Sequence, residues 1–135
     1  MNYQLEQNSR PIVLVVEDHE DTRLLLKLLL EHEGYAVIEA GDGLEAVEIA
    51  TRECPDLVLM DGSLPGLDGL SSTRRMREKE SLHHLPIVAL SGHTGQEFKA
   101  AALAAGCDAL ITKPLDLSEL TSTLSQLLHT YSHAA

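Results

Sequence analysis

Tryptophan is absent and phenylalanine occurs once in this 135-residue chain, so no aromatic cluster fills its interior. The core has to be assembled from Leu, Ile, Val and Ala. Two cysteines, Cys54 and Cys107, are too few for a disulfide framework and lack C-x-x-C spacing. Both are expected to be buried small apolar side chains in a reducing compartment. Basic residues are scarce: ten Lys and Arg against 21 Asp and Glu leave a formal net charge of -11. Such a chain repels phosphate backbones, which argues against direct binding to nucleic acid. Long apolar runs are missing too. The nearest, residues 24–30, is interrupted by Lys27, and residues 1–10 carry no signal core. A cytoplasmic protein with no membrane contact is expected.

What is present suffices for one domain. Hydrophobic residues make up 44% of the chain, and 135 residues bury enough surface to fold without staples. Residues 1–10 are polar and expected to be a flexible segment, 11–131 the domain, and 132–135 a short loose tail.

Short β-branched runs alternate with helical periodicity along the chain. Residues 12–16, 35–40, 57–60, 87–90 and 109–112 read as strands. Helices are expected over about 21–33, 44–52, 69–79, 96–105 and from 117 onward. Gly34 and Gly106 suit helix C-termini, and Pro55 ends the second helix. Leu44, Val47 and Ala50 form the expected inner stripe of the second helix; Leu70, Thr73 and Met76 that of the third. Leu117, Leu120, Leu124, Leu127, Leu128 and Tyr131 do the same for the last. Strict alternation with short connections means a parallel sheet with helices on both faces, the doubly wound α/β class. Segment 24–30 is apolar on more than one helical face. Deep burial between neighbours is the favoured explanation, and a partner or dimer surface the sharper one.

Ligands of open α/β sheets bind beyond the carboxyl ends of the strands, where strand order reverses. The residues at those ends are Glu17 and Asp18, Asp61, Ser91 and Lys113. With strand order 2-1-3-4-5, Glu17, Asp18 and Asp61 face one crevice. Three carboxylates repel one another unless a cation sits between them, and hard oxygen donors suit Mg2+. Lys113 and the Ser91 hydroxyl would hold a phosphoryl group against that ion. Asp61 would be its nucleophile. Each residue also has a plain alternative: an acidic helix start, a turn, an N-cap, a surface lysine. Those alternatives would have to hold at every one of these strand ends at once.

The set Glu17-Asp18, Asp61 with 65–69 (PGLDG), Ser91-Gly92 and Lys113-Pro114 resembles the receiver domains of two-component response regulators over about residues 11–130. The resemblance implies a flavodoxin-like fold of five βα units in strand order 2-1-3-4-5. It implies that Asp61 accepts a phosphoryl group from a sensor histidine kinase or a histidine phosphotransfer protein. Asp18, Asp61 and the backbone carbonyl of Ser63 would ligate Mg2+, with Glu17 acting through water. Lys113 would pair first with Asp61 and then with the phosphoryl group. Ser91 would move to bond the phosphoryl oxygen and report the charge. Autodephosphorylation by an in-line water, signalling through a downstream protein target, and room for a weak homodimer complete the expectation.

Departures are informative. Leu110 occupies the position where many family members carry an aromatic switch, so the face around the fifth strand is expected to repack less. Ser63 and His93 stand where lifetime-tuning side chains lie. The remaining six histidines show no metal-ligand spacing. With Met1 at the start and a short tail, a stand-alone regulator is expected rather than a receiver within a hybrid kinase. It would not be an enzyme beyond its own phosphotransfer. An aspartyl-nucleophile phosphatase would need a second acid at Ser63 and a cap domain. An unphosphorylated binding module would not need the acidic set or Lys113.

Overall fold

The computed structural model describes residues 10–61, 68–92 and 96–133, the side chains of 130–133 excepted. Five strands, β1 (Ile12–Val16), β2 (Ala36–Ala40), β3 (Leu57–Asp61), β4 (Ile87–Ser91) and β5 (Ala109–Thr112), alternate with five α-helices. The helices are α1 (Glu20–His32), α2 (Gly43–Glu53), α3 (Gly69–Arg77), α4 (Gln96–Ala105) and α5 (Leu117–His133), with a short 3-10 turn at Glu80–Leu82. The strands form one parallel sheet in the order β2-β1-β3-β4-β5. The doubly wound, flavodoxin-like expectation is met.

Side chains along a strand point alternately to its two faces, and the core divides accordingly. Leu14, Val16, Val58, Met60, Ile87 and Ala89 pack with Ala46 and Ala50 of α2, Met76 of α3 and Ala102 of α4. Val13, Val15, Leu57, Leu59, Val88 and Leu90 pack with Leu26 and Leu30 of α1 and Leu120 and Leu124 of α5. Both layers are aliphatic, as the lack of aromatics requires. Every residue of β3 and β4 is buried, which is why those segments read as unbroken apolar runs.

Local chemistry sets the helix ends. Asp42 caps α2, its carboxylate accepting from the backbone N–H of Glu45, while Glu45 reaches back to accept from that of Gly41. Asp68 caps α3 by accepting from the backbone N–H of Ser71 at 2.8 Å. Gly34, at φ +99°, follows α1 in a conformation that glycine adopts without a Cβ penalty.

Several expectations change. Cys107 is buried but Cys54 is exposed, because it leaves α2 in the left-handed conformation at φ 48°. Leu44 is exposed, and Gly43, Ala46 and Ala50 form the buried face of α2 instead. Leu117 is exposed as well, since α5 turns its inner side through Leu120 and Leu124. α1 is not buried all round: Leu24, Leu25 and Leu28 are 52%, 56% and 54% exposed. α5 continues to His133, two residues into the expected tail. Residues 1–9 lie outside the described residues.

Candidate functional site

The reversal of strand order falls between β1 and β3, and the acidic residues meet there. Val16 pairs with Met60 at the end of the ladder, so the next residues, Glu17 and Asp61, stand side by side. Alternation puts both in the rows of Val13 and Val15 and of Leu57 and Leu59, on the α1 and α5 side. Glu17 and Asp61 are 2% and 4% exposed. Carboxylates this deep are costly unless something offsets their charge.

Lys113 supplies one offset. Its Nζ lies 3.6 Å from Asp61 Oδ2. The lysine is held there because its backbone N–H donates to the Ser91 carbonyl at 2.7 Å, beyond the Ser91 and Thr112 pair that closes the β4–β5 ladder. Ser91, 1% exposed, ends β4. Four strand ends thus bring Glu17, Asp61, Ser91 and Lys113 to the carboxyl edge of the sheet. Asp18 follows Glu17 there. Ser63 and His93 lie outside the described residues.

Two contributors were missed. His19, expected to have no ligand spacing, places Nδ1 3.1 Å from Glu17 Oε2 and 3.4 Å from Asp18 Oδ1. One donor atom from each of Glu17, Asp18 and His19 falls within 4.8 Å of the others. Adjacency to the acidic pair was the available signal. A single residue cannot show periodic spacing, so a search for spacing passed over it. Arg23, one helical turn on, donates from Nη1 to the Glu17 carbonyl at 2.8 Å, and its Nε lies 3.3 Å from Glu39 Oε1. It ties the end of β1 to β2 and to α1.

Electrostatics record the crowding. Burial pushes the Glu17 carboxyl above its usual range. Hydrogen bonds from the His19 backbone and ring oppose the shift, and the charge of Asp61 adds to it. His19 is pushed up, first by its bond to Glu17 and then by the Asp18 charge. Asp18 Oδ1 is buried and has no hydrogen-bond partner, although His19 Nδ1 lies within ion-pair distance. An orphaned carboxylate oxygen beside two more buried carboxylates fits a small hard cation, whose charge would offset burial and repulsion together.

The comparisons with known proteins agree with the fold. A family model described as the response regulator receiver domain matches residues 13–125. The polar-differentiation response regulator DivK of Brucella ovis is 34% identical over 116 residues, 86% of this chain and 94% of that one. A two-component response regulator of the LuxR family from Aurantimonas superposes with TM-score 0.84 at 33% identity, over 90% of this chain and 87% of that chain. The receiver domain of a sensor histidine kinase from Pseudomonas aeruginosa superposes with TM-score 0.83 at 34% identity, over 90% and 99%. That receiver has a magnesium ion coordinated in its active site cleft.

Proposed function

The chain belongs to the response regulator receiver domain family, and on that footing we propose that it accepts a phosphoryl group on Asp61. The donor is a phosphohistidine on a sensor histidine kinase or a histidine phosphotransfer protein. The observation that carries the reading is the approach of Lys113 Nζ to within 3.6 Å of Asp61 Oδ2, at the end of β3 and beside Glu17.

A carboxylate oxygen of Asp61 attacks phosphorus in line with the phosphohistidine nitrogen. The new O–P bond forms as the N–P bond breaks, and the electron pair returns to the imidazole. Lys113 follows the charge from carboxylate to phosphoryl oxygens. Its ammonium can reorient on a flexible stem, which a planar guanidinium could not do as freely. The Ser91 hydroxyl donates to a phosphoryl oxygen. Asp18, Asp61 and the Ser63 carbonyl would hold Mg2+, with Glu17 reaching it through water. When bound, the ion neutralises charge on the transferring group. Hydrolysis of the acyl phosphate by an in-line water resets the protein. Ser63 and His93 stand where side chains would set its rate.

The output is a downstream protein partner, reached through a surface that includes Leu110, and the setting is the cytoplasm. None of the described helices is long and apolar enough to cross a membrane. Leu110 packs against the core and pairs with Ala89 across the β4–β5 ladder. With no polar tip to draw it outward, it favours a small rearrangement on phosphorylation.

Incubation with acetyl phosphate and Mg2+, read by intact-protein mass, tests the function. The native chain is expected to gain one phosphoryl group only with Mg2+ present, and Asp61→Asn to gain none. Failure of the native chain to react or to bind a stable phosphoryl mimic would favour an unphosphorylated binding module.

A further inference from the structure

The triangle of donor atoms from Glu17, Asp18 and His19 contains more than a receiver's acidic pair requires. His19 Nδ1 stands 3.1 Å from Glu17 Oε2 and 3.4 Å from Asp18 Oδ1. A ring nitrogen carries one proton at most, so it cannot serve both carboxylates as a donor. It bonds Glu17, and Asp18 Oδ1 stays without a hydrogen bond. Adjacent ligands on an octahedral ion with bonds of ~2.1 Å lie about 3.0 Å apart. The 3.4 Å separation of His19 Nδ1 from Asp18 Oδ1 is therefore close to that of neighbouring ligands around one ion, while Glu17 stands a hydrogen bond away from the ring. The ring is 75% exposed, and His19 begins α1 without any side-chain capping bond. Its position is thus set by its bonds to Glu17 rather than by packing or by helix capping.

We propose that His19 is a nitrogen ligand of the cation site, raising its affinity for imidazole-binding first-row divalent ions above that for Mg2+. Magnesium gains little from a nitrogen donor. Cobalt, nickel and zinc gain much, and carboxylate with imidazole is a set they favour. The residue would determine which ion occupies the site when several compete. The inference rests on reading the acidic cleft as a divalent-cation site.

The test compares the native chain, His19→Ala and Asp18→Asn. Mg2+ and Co2+ are titrated separately by calorimetry, and Mn2+ is bound for pulsed electron paramagnetic resonance to detect nitrogen coupling. His19→Ala is expected to weaken Co2+ binding by about tenfold or more and Mg2+ binding by less than about twofold. The nitrogen coupling of the native chain is expected to vanish with it. Asp18→Asn should weaken both ions. If His19→Ala leaves Co2+ affinity and nitrogen coupling unchanged while Asp18→Asn weakens both ions, the role of His19 is wrong and the cation site stands. If Asp18→Asn also leaves both unchanged, the cation reading fails and the inference fails with it.

Discussion

Arg77 shows how much one side chain can hold. Its guanidinium donates to the carbonyls of Leu82, His83 and Gly106 and pairs with Asp108 at 3.0 Å. Asp108 in turn accepts from the backbone N–H of Ile87 at 2.8 Å. The stem of Arg77 leaves no space at Gly106, where a Cβ would meet Arg77 Cγ at 2.7 Å on a backbone at φ +112°. Gly106→Ala should therefore destabilise the fold by roughly 1–3 kcal/mol, read by chemical denaturation. The cost should shrink in an Arg77→Ala background, because part of it is the clash. Equal costs in both backgrounds would assign the whole effect to backbone strain. Gly106 was legible in the sequence as a helix terminator. Arg77 was not, since its partners lie up to 31 residues away.

Helix α1 carries leucines with opposite fates. Leu26 and Leu30 are buried against β1 and β3, whereas Leu24, Leu25 and Leu28 face outward. Leu26→Ala or Leu30→Ala should cost roughly 2–5 kcal/mol. Leu24→Gln, Leu25→Gln or Leu28→Gln should stay within about 0.5 kcal/mol. A large loss from the outer set would mean that those leucines are covered in solution. Composition alone could not sort them: a run of Leu on all sides has no preferred face until the sheet supplies one. α2 teaches the converse. Leu44 is outside, whereas Ala46 and Ala50 are fully buried and the half-buried Val47 and Ile49 pack against the same core.

Two raised groups make the folded molecule sensitive to alkali. Burial pushes the Cys107 thiol above its ordinary 9.0 and the Tyr35 phenol above 10.0, so the folded chain keeps protons that the unfolded chain releases. The resulting stability is full below 9.0 and is lost as pH rises through the raised Cys107 value. Tyr35 adds to the loss above 10.0. The thermal midpoint should fall as pH passes 9.0, more steeply for the native chain than for Cys107→Ala. Parallel curves would show that Cys107 takes no part.

Strand and helix order, the parallel sheet and the acidic, hydroxyl and lysine residues at the strand ends were all readable from the chain, because apolar periodicity and breakers act over a few residues. The aliphatic core followed from the missing aromatics. Long-range packing settled the rest. Pairing of β1 with β3 sets Glu17 beside Asp61, closure of β4 on β5 carries Lys113 to the same edge, and the turn into α1 swings His19 against two carboxylates. Which leucines and cysteines face water depended equally on what lay opposite them. A local pattern says which face of an element is apolar, whereas burial requires a partner surface that comes from elsewhere in the chain.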